Sequence, residues 1–154
     1  MKNNLKIRGR VRLQCHKKDG TLKWDTGFVN NTVMNAGYAE IAKIIGTVPT
    51  LVFDHLAVGT STLAVTSAQT ALSAELSAVG FERNSGVVSR VTSAITNDTH
   101  RVVRTWTAIS AETVEEVGLF NAISGNIMLG RQLTTTKAVA AEETLTGTYD
   151  IIVG

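Results

Sequence analysis

From Leu5 to Cys15 apolar and polar residues alternate: Leu5, Ile7, Val11, Leu13 and Cys15 share one side, and Lys6, Arg8, Arg10, Arg12 and Gln14 the other. A period of two over so long a run predicts a strand with one buried face. Gly9 interrupts the apolar row, as glycine does at a bulge or a close backbone approach. Lys18-Asp19-Gly20 predicts a turn, because Asp-Gly tolerates the positive φ of a tight hairpin. A second strand then runs from Leu22 through Trp24 to Val29. Met34, Tyr38, Ile41 and Ile45 recur at spacings of four, three and four, which predicts one helix near residues 33–45 with a single apolar stripe. Asn31, Thr32 or Asn35 can cap its start, Gly46 suits its C-terminal end, and Pro49 punctuates the exit.

The rest of the chain reads as strands and turns. Leu51–Val58 is short, apolar and closed by Gly59, which predicts a buried strand. Thr60–Ala78, rich in Ser, Thr and Ala, predicts a long surface loop with one helical turn near Leu72–Leu76. Val87–Ile95 and Arg101–Ile109 flank a turn at Asn97-Asp98-Thr99-His100; Thr113–Phe120 and Ile127–Leu133 flank another at Ser124-Gly125-Asn126. Leu145–Val153 forms the last strand, with Leu145, Gly147, Tyr149, Ile151 and Val153 on one row. Regularly spaced strands with one helix predict a mainly β fold, an antiparallel β-sandwich of jelly-roll type, in a single domain over residues 1–154. Within it, residues 1–15 are a candidate basic docking strand or arm.

Composition adds two points. One cysteine, Cys15, cannot form an internal disulfide or a cysteine-based zinc site. Its place in the apolar row marks it as a small core residue. No apolar run approaches the roughly 18–20 residues that span a bilayer, so no membrane partner is expected, and the lysine-rich start lacks a signal-peptide h-region.

Charge changes the picture more. Residues 1–23 hold eight Lys and Arg against Asp19 alone, a surplus of seven. The remaining residues carry seven basic and twelve acidic groups, a deficit of five. Such asymmetry fits nucleic-acid contact, docking on an acidic protein surface, or a solvated strand face. The basic row has no interleaved aromatics to stack bases, so nucleic acid is not the expected partner.

Candidate chemistry is sparse. No G-x-S-x-G, G-x-x-x-x-G-K-[ST], H-E-x-x-H or G-x-G-x-x-G pattern occurs, and His16, His55 and His100 are scattered. No catalytic residue, cofactor or metal ligand is therefore expected. Glu112, Glu115, Glu116, Glu142 and Glu143 form the densest acidic set. Adjacent Glu115 and Glu116 project to opposite faces of a strand, so they cannot be a glycosidase pair. One of them must instead face inward and find a partner such as Arg83, Arg90 or Arg131. The triplets Asn30-Asn31-Thr32 and Asn97-Asp98-Thr99 match the glycosylation pattern, but cap and turn roles explain their asparagines.

Four motifs, in order, carry a resemblance. They are Asn30-Asn31-Thr32-Val33-Met34-Asn35-Ala36-Gly37, His55-Leu56-Ala57-Val58-Gly59-Thr60-Ser61, Ala71-Leu72-Ser73-Ala74-Glu75-Leu76, and Glu116-Val117-Gly118-Leu119-Phe120-Asn121. The chain resembles small virion structural proteins of tailed bacteriophages, over nearly its whole length. Ser61 stands where those proteins often carry glycine. The resemblance implies a β-sandwich assembled on the virion, often as a trimer, in one of two roles. One is a capsid decoration (cement) protein on the outer head, with the major capsid protein as partner; the other is a tail-fibre or collar protein among tail proteins. It also implies localisation to the virion, assembled in the bacterial host cytoplasm. Lys6, Arg8, Arg10 and Arg12 are the candidate capsid-binding residues. Gly59, Glu116, Gly118, Leu119 and Phe120 form the candidate structural motif, with both faces of the Glu116–Phe120 strand covered. A carbohydrate-binding module is a further alternative, with Trp24, Trp106, Tyr38 and Tyr149 as its aromatics.

Overall fold

The alternating segment forms strand β1 (Ile7–His16), and its burial alternates residue by residue from Gly9 onward. The structure is a computed structural model describing residues 6–46, 52–125 and 127–154. Leu5, Pro49, Leu51 and Asn126, and with them part of the basic arm at residues 1–5, lie outside the described residues. Nine further strands and one helix follow in chain order. They are β2 (Leu22–Asp25), β3 (Val29–Val33), α1 (Asn35–Gly46), β4 (His55–Gly59), β5 (Asn84–Ser85), β6 (Val87–Val91), β7 (Thr99–Thr107), β8 (Glu112–Phe120), β9 (Met128–Val139) and β10 (Thr144–Val153). The fold is mainly β with a single helix among the described residues, as the patterning predicts.

Every pairing is antiparallel, in the order β5-β4-β8-β9-β3-β1-β10-β7-β6, with β2 as an extra partner of β1. Only Gly86 separates β5 from β6. One bent strand therefore pairs with β4 at one end of the order and with β7 at the other. The bend brings the sheet round into a nearly closed barrel. Glycine suits it, since a Cβ at Gly86 would lie 2.6 Å from the Val103 carbonyl oxygen. A ring of about eight strands leaves an interior that side chains can fill. Leu13, Leu56, Val58, Val102, Trp106, Leu119, Leu145 and Tyr149 fill it here. Inside, the Asn31 amide donates to the Tyr149 hydroxyl. Gly9 and Gly130 leave that pair its room, because a Cβ at either would run into the Asn31 side chain. Full burial pushes the Tyr149 phenol well above its usual range.

Several local expectations are corrected. The strand expected from Leu22 to Val29 is two strands, broken at Thr26-Gly27-Phe28, where Gly27 has φ +65°. Asn31 and Thr32 lie in β3 and do not cap the helix. Met34 accepts the first helical bond, from Tyr38 N–H, and Asn35 N–H is taken by the Ser67 carbonyl. The buried helix face is also rotated from the expected stripe. Tyr38 and Ile45 are exposed, while Gly37 and Glu40 are buried, and Ile41 and Ile44 pack on the barrel core. Gly37 sets that rotation: a Cβ there would sit 2.7 Å from the Leu129 carbonyl oxygen, so α1 lies directly on the β9 backbone. Residues 72–76 form no helical turn but a bend at Ser73-Ala74 leading into a single bridge. Glu75 bridges Gly59, and Leu76 N–H donates to the Val58 carbonyl at 2.9 Å. That segment covers the length of the β4 edge that β5 does not reach. The turn placed at Asn97–His100 spans residues 92–98 instead. There the Asp98 carboxylate accepts the N–H groups of Ser93, Ala94 and Ile95 at 2.8–2.9 Å, which hold it far below the usual carboxylate range.

Candidate functional site

Two constellations stand out, one packed under the 60–83 loop and one on the open face of β1, β10 and β7. The first is built on β8. Val117 and Leu119 point into the barrel core, so Glu116, Gly118 and Phe120 point outward, yet Glu116 and Phe120 are fully buried. What covers them is the chain's own loop. Phe120 packs with Met34, Ala57, Leu72 and Met128 in a small apolar cluster apart from the main core. A Cβ on Gly118 would meet Leu72 Cδ2 and the Phe120 ring at 2.9 Å each. One on Gly59 would lie 2.5 Å from both the Ala74 carbonyl oxygen and Glu116 Oε1. The small residues of the motif therefore admit the loop.

Charge then fastens it. Glu116 Oε1 accepts Ala74 N–H at 2.8 Å, and Oε2 accepts Ser73 N–H at 3.2 Å and Arg131 Nε at 2.7 Å. Arg131, wholly buried, reaches on to Gln69 Oε1 at 2.8 Å, and Gln69 binds the Ala64 carbonyl and Thr66 N–H. Of the partners expected for an inward glutamate, Arg131 is the one used. Arg83 lies 3.5 Å above the Phe120 ring and pairs with Glu75, while its Nη1 donates to the Gly125 carbonyl at 3.1 Å. Glu115 accepts a bond from the Thr136 hydroxyl at an exposed site. A Gly118→Val change should push Leu72 out of its seat. It should cost about 1–3 kcal/mol, the range for forcing extra methyls into a packed site. Limited proteolysis should then cut within residues 60–78 first, whereas an unchanged melting curve and cleavage pattern would contradict the close packing.

The second constellation corrects the basic row. Arg10, Asp150 and Arg101 lie directly opposite one another on β1, β10 and β7. Asp150 is fully buried and takes Arg10 Nε at 2.9 Å, with Arg101 Nε and Nη2 at 2.7 and 2.8 Å. Arg12 pairs with Asp25, whose carboxyl its guanidinium and the Gly27 N–H hold down at about 2. So Arg10 and Arg12 are not free cations on a solvated face. Lys6 and Arg8 are exposed. Phe28, in the loop between β2 and β3, lies among the guanidiniums of Arg10, Arg12 and Arg101, with ring-centre distances of 4.3, 5.9 and 5.7 Å. Sequence reasoning missed Phe28, Asp25, Arg101 and Asp150. A weak signal existed: aspartate is depleted in strands, so Asp150 in the last strand marked a place for a cationic partner.

The remaining candidates are held by structural contacts. His55 Nδ1 lies 2.6 Å from Asp54, and His100 Nε2 lies 2.8 Å from the Phe53 carbonyl. Among the described residues no group of His, Cys, Asp and Glu could hold a metal ion, and no helix is long and apolar enough to cross a membrane. Glu112 lies in β8, Glu142 pairs with Lys18, and Glu143 pairs with Lys23 and takes the Cys15 thiol at 3.5 Å. Trp106 and Tyr149 are buried, Trp24 donates to the Ala138 carbonyl, and Tyr38 is exposed on α1. Burial and the Glu143 contact raise the Cys15 thiol from about 9 to about 11. Native protein should therefore resist thiol-disulfide reagents at pH 8 and react fully once unfolded. The thiol's contribution to stability is intact below about pH 9 and lost as pH rises towards about 11, because the unfolded state ionises first. Fast native labelling at pH 8 would contradict this burial. Compared with known proteins, the chain matches no family model, no curated protein and no solved structure.

Proposed function

We propose that this chain is a non-enzymatic structural protein of a tailed-phage virion, a decoration (cement) protein that binds the outer head surface and stabilises the shell. One observation carries the reading furthest. The four motifs behind the resemblance, scattered from Met34 to Phe120, each contribute one residue to a single apolar cluster: Met34, Ala57, Leu72 and Phe120. They act together as one packing unit, which supports treating them as one signature. The chain's polar chemistry points the same way, since its buried acids and bases, Glu116, Arg131 and Asp150, are engaged in holding strands and loop. On this reading the barrel is a flattened β-sandwich of jelly-roll type. The subunits associate as a trimer, and the major capsid protein meets them at the face bearing Lys6, Arg8, Arg10 and Arg12. Many weak contacts repeated over a lattice give tight overall attachment.

Copy number on purified particles tests it. Hundreds of copies per virion support decoration; a dozen or fewer would move the protein to the tail fibre or collar, and absence from particles would overturn the virion reading. Light scattering of the free protein tests the trimer, with a monomer at micromolar concentration counting against self-association without the lattice.

A further inference from the structure

The patch centred on Phe28 is built differently from a solvated strand face. Its carboxylates, Asp150 and Asp25, are paired with Arg10, Arg101 and Arg12, and the exposed Lys6 and Arg8 lie along the same run of chain, which leaves a positive surplus. The buried Asp150 fixes Arg10 and Arg101 on adjacent strands, and Asp25 fixes Arg12. Guanidiniums fixed in this way lose little further freedom on binding. The Nη1 groups of all three make no hydrogen bond among the described residues, so they remain open to an acceptor. Between them Phe28 is still 40% exposed. An apolar centre in a ring of oriented cations has the layout of a protein-binding hot spot.

We propose that this patch docks an acidic protein segment, one that sets carboxylates against Arg8, Arg10, Arg12 and Arg101 and an apolar side chain against Phe28. The proposal deepens the virion reading and rests on it for where such a segment would come from: a neighbouring shell subunit. Charge complementarity selects the acidic partner. Nucleic acid fits less well, because Arg10 stacks over the Phe28 ring 4.3 Å from its centre and takes a face that a base would use.

The test uses the whole protein and a labelled peptide of alternating Glu and Leu, with an all-Glu peptide, its Lys counterpart and duplex DNA as comparators, at low and high salt. Arg10 and Arg101 are left intact, since removing either strips a partner from buried Asp150. Phe28→Ala should weaken binding of the Glu-Leu peptide about tenfold while keeping its salt dependence. The double variant Arg8→Gln/Arg12→Gln should weaken it at low salt and flatten the salt dependence. Thermal melts confirm that the variants fold. Equal binding by wild type and both variants overturns the proposal, as does tighter binding of duplex DNA. So does a wild-type oligomer that dissociates in the variants with no peptide bound, which would assign the patch to a second copy of this chain. Particles separate the two levels of inference. If the variants occupy virions as wild type does, the docking patch falls and the virion reading stands. If wild type is absent from virions, the virion reading falls, and the peptide measurements alone decide the patch.

Discussion

Arg131→Met should lower the unfolding free energy by about 3–5 kcal/mol, the cost of leaving one member of a buried ion pair alone. Glu116 would keep the N–H groups of Ser73 and Ala74, but it would lose its one cationic partner among the described residues, in a site closed to water. Gln69 would lose the Nη1 donor that ties it to the barrel. Urea denaturation followed by circular dichroism measures the loss. The double variant Glu116→Gln/Arg131→Met separates its causes, because removing both charges should recover part of the stability if the stranded charge dominates. A loss below about 1 kcal/mol for Arg131→Met would mean that water reaches the pair, since exposed ion pairs are worth about that much or less.

Phe120→Ala should cost a similar amount by a different route, about 3–5 kcal/mol from lost burial and the cavity left behind. The ring fills the space among Met34, Ala57, Leu72 and Met128 and supports the Arg83 guanidinium 3.5 Å above it. Its removal should therefore loosen two loops at once. Arg83 holds Glu75 in the 60–83 loop and the Ala122 and Gly125 carbonyls in the β8–β9 turn. Hydrogen exchange should quicken at both places while β1 and β10 keep their protection. Acceleration confined to the 60–83 loop would show that Arg83 does not couple them.

How much of this was legible depended on the range over which the causes act. The row Leu5–Cys15 predicted β1 because a half-buried strand writes its burial in a period of two. That one of Glu115 and Glu116 needs a buried cationic partner followed from strand geometry, but the choice of Glu116 and Arg131 is made by the loop that covers β8. The rotated face of α1 was not legible, because Gly37 is chosen by the β9 backbone lying against it. Residues 72–76 form no helical turn because the unpaired β4 edge offers partners that local propensity ignores. The basic row misled for a related reason. Its spacing along β1 was right, but its electrostatics were decided by Asp150 and Asp25 on other strands.

The position of β10 has a consequence for how the ring comes into being. This strand, ending at Val153, lies between β1 and β7, and Ile7 pairs with Val153 itself. A chain leaving the ribosome can form the β8–β9 hairpin early, but β1 waits for a neighbour some 140 residues downstream. Contacts of such sequence separation carry a high loop-closure cost, which places folding in the slow regime of about milliseconds to seconds. Until β10 arrives, β1 and β7 each present a bare edge to any other unfinished chain. Folding yield should accordingly fall as protein concentration rises during refolding, and a chain cut before Thr144 should aggregate rather than fold in part.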